Sequence, residues 1–361
     1  MKNPQLRPDH ARRRFLAASA AALVAAPVGA ACTARSVRAP LGLGAPAIPD
    51  LPGRLLYVGD ADIWVWQQGR AQRLTQDRIS RQPVWSPDGR RIAHIKLDVS
   101  SSELWVMDAD SANSRQLTRN YNPTLTLNNW AFRPLWWPDG SRLLYLSEEM
   151  SQQLMLWQVT LDGRQRRRFL TVQDAEGGLD MPSLSPDARQ LAVVTYRGPK
   201  GVPQVWTYTV PNGPWRQLTE SEEGAYDPSW SPDGKRLAYT RRRAGRHDVW
   251  VMNADGTDGQ PVTGSGTARA PCWSPDGQWL AFIAAESGDF ELWVTRAPAA
   301  GAPVPVQRAT GDGVSSGAAR TPGPAATPAE TRGAAPAGLP AAYQLTRGAA
   351  LDAVSGLSWA A

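Results

Sequence analysis

The chain of 361 residues is 42% hydrophobic and 20% charged, a composition typical of soluble globular proteins of one or two domains. Its 32 Gly and 31 Pro indicate many turns, and two Cys exclude a disulfide scaffold and a Cys-based zinc site. The net charge is +6, but residues 1–31 hold five basic side chains against one acidic, which leaves +2 for the rest. Because that remainder has no basic stripe with interleaved aromatics, we expect no nucleic-acid partner.

The N-terminal segment has the pattern of an export signal. Basic residues precede an Ala-rich apolar run that is too short to span a bilayer comfortably, and no apolar stretch of 18 residues follows it. Arg12, Arg13, Phe15 and Leu16 belong to an Arg-Arg-x-Phe-Leu sequence that resembles the twin-arginine export motif, with Sec export as the alternative. We therefore interpret residues 1–31 as a signal peptide.

The end of this segment, Gly-Ala-Ala-Cys at 29–32, resembles a bacterial lipobox. The resemblance implies that Cys32 becomes the lipidated first residue of an exported, periplasmic or otherwise extracytoplasmic protein. Cleavage without lipidation and an uncleaved arm are the alternatives. Residues 32–53 are rich in Ala, Pro and Gly and are predicted to be a flexible tether. Membrane association is thus expected through a lipid and not through a spanning helix.

One unit is repeated along the middle of the chain. The sequence Trp-Ser-Pro-Asp-Gly occurs at 85–89, 230–234 and 273–277, with degenerate copies at 136–140 and 184–188. The prolines of successive copies are 51, 48, 46 and 43 residues apart, roughly the length of one four-stranded propeller blade. The predicted turn residues are Pro87, Asp88, Gly89, Pro138, Asp139, Gly140, Pro186, Asp187, Pro232, Asp233, Gly234, Pro275, Asp276 and Gly277.

The residues of this unit suit a type I turn. Proline presets φ at the second position, Asp suits the third, and Gly supplies the positive φ that follows. In the copy at 184–188 Ala188 replaces that Gly, so this turn is expected to be strained or rearranged.

Three further series, each with six members, accompany the turns. One is an alternating apolar run, one is a strand with a single aligned Trp, and one ends in an apolar residue followed by Thr. They predict an all-β fold, a six-bladed β-propeller of four-stranded antiparallel blades over residues 54–359. The aligned Trp side chains are expected to pack between stacked blades. They are Trp64, Trp105, Trp157, Trp206, Trp250 and Trp293.

The sixth turn is missing where the chain ends meet. The strand at 356–359 is predicted to complete the first blade beside the run at 54–58, which closes the ring and leaves no free sheet edge. We therefore expect a monomer. Residues 297–341, between the third and fourth strands of the last blade, are predicted to be a disordered Ala/Pro/Gly-rich insert. Its G-x-S-x-G sequence at 313–317 lacks the strand–turn–helix context of a hydrolase nucleophile.

The repeat resembles the Pro-Asp propeller repeat of the TolB family, over about residues 54–359. The resemblance implies four strands per blade and six blades. TolB proteins also carry an α/β domain before the propeller that contacts envelope partners, and in this chain only the predicted tether stands there. The resemblance therefore supports the propeller and not a place in the Tol–Pal system.

The repeats contain no convincing pattern of catalytic or metal-binding residues. Related propellers gate serine peptidase domains or, in some lyases, hold a metal with a His cluster, but His94 and His247 fall in different blades and are interpreted as structural. Asp60/Asp62 and Asp255/Asp258 have calcium-type ligands, although turn positions favour Asp for other reasons. We expect no cofactor, and a buried, unpaired Cys272.

The predicted binding surface follows from strand order. Connections from each fourth strand to the next first strand, and from each second to third strand, share one face around the channel. We predict a non-catalytic module that binds an envelope protein or peptide there. The alternatives are an enzyme with its site in the channel, such as a glycan or peptide lyase or hydrolase, and a small-ligand sensor. The candidate partner-binding residues are Tyr121, Asn122, Asn129, Trp130, Glu149, Glu222, Tyr226, Arg242 and Arg246.

Overall fold

The computed structural model describes residues 48–123, 128–148, 153–170, 178–285, 288–299 and 339–361. These residues form six four-stranded antiparallel sheets and no helix, so the predicted all-β six-bladed propeller is confirmed. Within the described ranges, no helix long and apolar enough to cross a membrane is found.

Blades I to III occupy the first half of the chain. Blade I has β1 (Arg54–Gly59), β2 (Asp62–Gln67), β3 (Arg70–Arg73) and, from the other end of the chain, β24 (Ser358–Ala360). Blade II has β4 (Ser80–Trp85), β5 (Arg91–Leu97), β6 (Ser102–Asp108) and β7 (Arg115–Gln116). Blade III has β8 (Ala131–Trp136), β9 (Arg142–Ser147), β10 (Met155–Thr160) and β11 (Arg166–Arg168).

Blades IV to VI follow in the same strand order. Blade IV has β12 (Asp180–Leu184), β13 (Gln190–Thr195), β14 (Gln204–Thr209) and β15 (Trp215–Gln217). Blade V has β16 (Ala225–Trp230), β17 (Arg236–Arg243), β18 (Arg246–Asn253) and β19 (Gln260–Pro261). Blade VI has β20 (Arg269–Trp273), β21 (Trp279–Ala285), β22 (Phe290–Arg296) and β23 (Ala342–Gln344).

The two ends of the described chain pair in blade I. Strand β24 lies beside β1 in antiparallel register, with Arg54 opposite Ala360 and Leu56 opposite Ser358. The Ser358 hydroxyl accepts a hydrogen bond from the Trp85 backbone N–H at 2.9 Å, which joins blades I and II. In the segment before β24, the backbone N–H of Asp352 donates to the Val58 carbonyl at 2.9 Å. Blade I is therefore built from both ends of the propeller sequence.

The hydrophobic core lies between neighbouring blades, because each sheet buries both faces. One cluster combines side chains of blades I and II, another those of blades IV and V, and another those of blades VI and I. The aligned Trp residues lie in these seams, where Trp157 and Trp293 are buried and the other four are partly exposed. Cations cover several of them, as Lys96 does Trp105 and Arg241 does Trp250.

The turn between first and second strands keeps one geometry in all five copies. In each, the backbone N–H of the last residue donates to the backbone carbonyl of the residue three positions earlier, at 2.8–2.9 Å. The four Gly at that place have φ of 64 to 68°, and Ala188 has φ of 59°. The turn at Ala188 is therefore not rearranged, and an L-residue holds the left-handed conformation that favours Gly.

Replacing Ala188 by Gly is expected to stabilise the protein by about 1 kcal/mol, because Gly adopts the left-handed conformation without the steric cost that a Cβ carries there. The matched control is Gly140→Ala, where the added Cβ has ordinary contacts of 3.7 Å and more and should lower stability by about the same amount. Urea unfolding of both variants measures the two changes. Equal stability of all three proteins would show that neither turn carries strain.

Candidate functional site

Alternate strand connections place two different surfaces at the two ends of the channel. The loop face carries the connections from fourth to next first strand and from second to third strand, whereas the turn face carries the Pro-Asp turns. The six innermost strands line a central channel of about 600 Å³. The predicted partner-binding residues that the structure describes all belong to the loop face.

A ring of bulges shapes the channel wall. In five inner strands the register shifts at one residue with φ of 48 to 53°, and the next residue is always Pro; Gly356, with φ of 72°, stands at the matching place before β24. This X-Pro repeat was present in the sequence but was not used in the prediction. The bulged residues are Gln82, Arg133, Met181, Asp227 and Ala270.

Several bulged residues connect one blade to the next. The Arg133 backbone N–H donates to Gln82 Oε1 at 2.7 Å, and the Ala270 N–H donates to Asp227 Oδ2 at 3.3 Å. Asp227 Oδ2 also accepts from the Thr240 hydroxyl at 2.8 Å. Because these side chains are bonded within the ring, Gln82 and Asp227 act first as structural groups.

Ion pairs between neighbouring blades surround the mouth of the channel. Arg133 Nε lies 3.5 Å from Asp180 Oδ1, and its Nη1 donates to the Val354 carbonyl at 2.6 Å. Arg81 Nε lies 3.7 Å from Asp352 Oδ2. Both arginines are largely covered, so these pairs hold the channel mouth in a fixed shape.

Blade V brings two of the predicted residues together on the loop face. Arg242 Nε lies 3.4 Å from Glu223 Oε2, and the Tyr226 hydroxyl donates to the Glu223 carbonyl at 3.3 Å. A backbone hydrogen bond from Gly245, at 2.8 Å, is the main reason why the pKa of Glu223 is lowered. Tyr226 also faces His247, with ring centres 6.5 Å apart. His247 was interpreted as structural and was not among the predicted site residues.

Burial controls the charge states in this group. Burial, followed by the Arg269 and Arg242 cations, lowers the pKa of His247, so the imidazole is neutral at pH 7. Burial also raises the pKa of Tyr226, which keeps its phenol protonated. The group therefore offers a neutral imidazole, a phenol and an Arg–Glu pair beside the channel.

The other predicted residues lie elsewhere on the same face. Tyr121 is 59% exposed between blades II and III, and Trp130 stacks on Phe132 with ring centres 6.2 Å apart. Asn122 donates its backbone N–H to Asn128, and Asn129 donates its own to the Asn120 carbonyl at 3.1 Å. Glu222 and Arg246 are exposed on blade V, where Arg246 Nη2 donates to the Gly264 carbonyl at 3.1 Å. The face thus carries two separate groups of candidates.

A repeated side-chain clamp fixes the loops of this face. At the end of the fourth strand a Thr hydroxyl accepts the backbone N–H of a third-strand residue at 2.9 Å. The same hydroxyl donates to an acid or amide that begins the third strand, and this group in turn accepts backbone N–H groups of the following loop. The five pairs are Thr75–Asp62, Thr118–Glu103, Thr219–Gln204, Thr263–Asp248 and Thr346–Glu291.

Exposed apolar side chains concentrate on the loop face. Among the described residues six large hydrophobic side chains are exposed, and only Ile48 lies outside the loops of this face. The turn face has eleven blade connections and the loop face twelve, so the number of connections does not explain this distribution. The five loop-face residues are Ile79, Val99, Tyr121, Tyr196 and Val354.

Residues 128–304 match the family described as TolB beta propeller domain. Over 105 residues the chain is 33% identical to the Tol-Pal system protein TolB of Anaeromyxobacter dehalogenans, a match that covers 26% of this chain and 24% of that protein. The structure of TolB from Acinetobacter baumannii superposes with a TM-score of 0.58 at 20% identity, over 69% of this chain and 62% of that one. The six-bladed propeller of this chain is thus similar to TolB propellers, in sequence over residues 128–304 and in fold.

A second kind of relative covers more of the TolB-like propeller. The uncharacterized peptidase YuxL of Bacillus subtilis is 28% identical over 207 residues, which is 53% of this chain and 28% of that protein. The chain spans about a quarter of the length of these curated relatives. A putative TolB from Agrobacterium tumefaciens has the same fold, with a TM-score of 0.52 at 16% identity over 68% of this chain and 84% of that one.

Several predicted sites of the TolB-like propeller lie outside the described residues. They are Arg12, Arg13, Phe15, Leu16, Cys32, Glu149 and the sequence at 313–317, together with most of the insert at 297–341. Within the described ranges, no group of three or more His, Cys, Asp or Glu is arranged to hold a metal.

Three of the four aspartates considered for calcium have protein partners. Asp62 is fully buried and pairs with Arg73, and its Oδ1 accepts from Thr75 at 2.9 Å. Asp255 Oδ1 accepts from the Thr257 backbone at 3.0 Å, and Asp258 Oδ2 accepts from Asn253 at 2.7 Å. Cys272 lies on the channel wall and is partly exposed, so the expectation that it is buried was wrong. Desolvation raises the pKa of its thiol to about 12, so this Cys is protonated.

Proposed function

We propose that this TolB-like propeller is a non-catalytic binding module whose loop face takes an envelope protein or peptide. The observation that carries the proposal is the concentration of exposed Ile79, Val99, Tyr121, Tyr196 and Val354 on that one face. Exposed apolar groups rimmed by polar residues are typical of protein interaction surfaces. The two relatives named Tol-Pal system protein TolB and TolB support an envelope partner.

The charges of the loop face favour a polypeptide over a single small ligand. The pairs Arg133–Asp180, Arg81–Asp352 and Arg242–Glu223 distribute both signs around the channel mouth. Mixed charge of this kind orients a large partner, while aromatic side chains such as Tyr121 and Tyr226 supply contact area. The clamped loops present these groups in a fixed arrangement, which lowers the entropy cost of binding.

We place this module outside the cytoplasm, exported by the signal at 1–31 and anchored by a lipid on Cys32. The signal pattern and the lipobox-like sequence support this location. Labelling with a radioactive fatty acid, with Cys32→Ser as the control, distinguishes lipidation from plain cleavage.

Removing the apolar groups of the loop face is expected to abolish partner capture. In the double variant Val99→Asp and Tyr121→Ala, two exposed side chains are lost without a change in the core. The full chain and its variants are used as bait in cross-linked envelope extracts, and captured proteins are quantified by mass spectrometry. Capture should fall at least tenfold, the loss expected for about 1.4 kcal/mol of binding energy.

The matched control lies on the opposite side of the ring. Arg164→Ala changes an exposed residue in a connection of the turn face and should leave capture unchanged. If Arg164→Ala lowers capture while the double variant does not, the partner uses the turn face and the proposal is wrong.

One observation favours a second candidate, an enzyme with its site at the channel mouth. Neutral His247 beside Tyr226 and the Arg242–Glu223 pair could transfer a proton, and one relative is named a peptidase. Turnover of peptide or glycan substrates that is lost in His247→Gln would establish this candidate. The binding proposal predicts no turnover by either protein.

A further inference from the structure

An arginine–tryptophan contact recurs at the seams between blades. The first residue of the second strand in one blade places its guanidinium over the Trp that ends the inner strand of the next blade. Arg54 lies 4.3 Å from the ring centre of Trp85, and Arg91 lies 5.1 Å from that of Trp136. The Arg236–Trp273 distance is 4.6 Å. Three seams therefore bury a Trp face under a cation from the preceding blade.

The seam between blades IV and V keeps the Trp but not the cation. Trp230 ends the inner strand of blade V, and Gln190 stands where the three seams above have Arg. Gln190 Nε2 donates to the Thr209 hydroxyl within its own blade at 3.1 Å. Trp230 is the most exposed of the four seam Trp residues, at 8% against 4–6% for the others.

A cavity of about 460 Å³ occupies this seam on the turn face. Gln190 and Trp230 both line it, together with the polar side chains of Thr207 and Thr209. Each of the remaining two seams changes one partner: Leu184 replaces the Trp opposite Arg142, and Trp279 replaces the Arg opposite Trp359. The IV–V seam therefore combines a Trp, a neutral Gln in place of the Arg, and a cavity that both residues line.

The rim of this cavity is acidic. Asp187 and Asp233 belong to two Pro-Asp turns, and Asp255 belongs to the connection between β18 and β19. All three use Oδ1 for bonds within their own turns. Arg216 is the single cation among the lining residues, so the lining keeps a net negative charge. Charge and aromatic face both favour a cation over an anion or a neutral ligand.

We infer that the cavity between blades IV and V binds the guanidinium group of an arginine side chain presented by a partner polypeptide. The guanidinium would lie on Trp230 at the position that Arg54, Arg91 and Arg236 occupy in the sister seams, with carboxylates of the rim around it. A planar guanidinium stacks on an aromatic face better than an ammonium, so arginine is preferred to lysine. This site lies on the turn face and is independent of the loop-face partner.

The test uses the full chain labelled with ¹⁵N in its Trp side chains, and N-acetylarginine amide as the probe. The indole N–H signal of Trp230, assigned with Trp230→Phe, should shift saturably with a dissociation constant on the order of 1 mM. The neutral isostere N-acetylcitrulline amide should cause no saturable shift, and N-acetyllysine amide should bind several-fold more weakly. Equal shifts from all three compounds would overturn the inference.

Two substitutions at one position separate a binding site from a packing gap. Gln190→Arg restores the residue of the sister seams, should fill the cavity from within the chain, and should abolish the shift. Gln190→Ala leaves the cavity open and should keep it. If Gln190→Arg retains binding, the inference is wrong. Should that variant fail to fold, Asp255→Asn decides instead: it keeps its turn bond and should weaken binding about threefold.

A last comparison distinguishes the source of the guanidinium. Guanidinium chloride at the same millimolar concentration supplies the cation without the chain that carries it. N-acetylarginine amide should bind at least threefold more tightly, because its methylenes also contact the cavity wall. Equal affinity would assign the cavity to a free small cation and overturn the polypeptide partner.

Discussion

Lowering the pH from 7 to 4 is expected to destabilise the propeller by roughly 3 kcal/mol through His94 alone. His94 is fully buried on β5 in the seam between two blades. Burial, with a smaller contribution from the Lys96 cation, lowers the pKa of this imidazole from 6.5 to about 4. The imidazole therefore stays neutral in the folded protein until the pH falls to about 4.

The direction follows from proton binding in the two states. Between pH 6.5 and 4 the unfolded chain protonates His94 while the folded protein does not, so protonation stabilises the unfolded state. The contribution is fully present above the unfolded pKa and is lost as pH falls toward the folded pKa. The pKa values of aspartates such as Asp62 and Asp77 are lowered, so protonation of these carboxylates in acid also destabilises the folded protein. The pH dependence of the wild type alone therefore does not isolate the contribution of His94.

A difference between two proteins isolates this residue. Phe282 occupies the same strand position in blade VI, so His94→Phe is a substitution that the repeat already accommodates. Urea unfolding from pH 7 to 4 should show a flatter pH dependence for His94→Phe, by roughly 3 kcal/mol over the range. His247→Gln, at a partly exposed site, serves as the control and should remove much less. Parallel curves for wild type and His94→Phe would contradict a neutral buried imidazole.

The sequence predicted the blades well because their determinants are local. The Pro-Asp turn, the alternating run after it and the aligned Trp each report on neighbouring residues, and together they predict the six four-stranded blades. The sequence also showed that Ala188 replaces the Gly of the turn, but not how the turn accommodates it. Whether the turn strains or rearranges depends on how firmly the neighbouring blades hold it, which no local pattern contains.

The parts that were missed depend on partners far along the chain. The Thr series was recognised, but its partners Asp62, Glu103, Gln204, Asp248 and Glu291 differ in residue type and were not aligned with it. The X-Pro series in five of the inner strands was an overlooked local signal. The Arg242–Glu223 pair and the exposed residues of the loop face depend on loop conformation, which is set by tertiary contacts.

Replacing Thr118 by Val is expected to destabilise the propeller by about 2 kcal/mol. The Thr118 hydroxyl accepts the Leu104 backbone N–H at 2.9 Å and donates to Glu103 Oε2 at 2.7 Å. Leu104 is fully buried and Thr118 nearly so. Val has the same shape as Thr, but it leaves the buried backbone N–H of Leu104 without an acceptor. The folded protein then carries the full desolvation cost of that N–H group, uncompensated by a hydrogen bond.

The effect should extend from stability to the proposed binding face. Glu103 Oε1 accepts the backbone N–H groups of Asn120 and Tyr121 at 2.7 and 2.9 Å, so the Thr118 clamp also fixes the loop that presents Tyr121. Hydrogen exchange at Asn120 and Tyr121 should accelerate in Thr118→Val beyond the change at distant blades. Thr118→Ser is the matched control, because it keeps both bonds and loses one methyl group, at about 0.8 kcal/mol. If the Val and Ser variants unfold at the same urea concentration and exchange alike, the hydroxyl does not hold the loop. If the hydroxyl does hold the loop, the Thr residues stabilise the blades and also fix the loops of the proposed binding face.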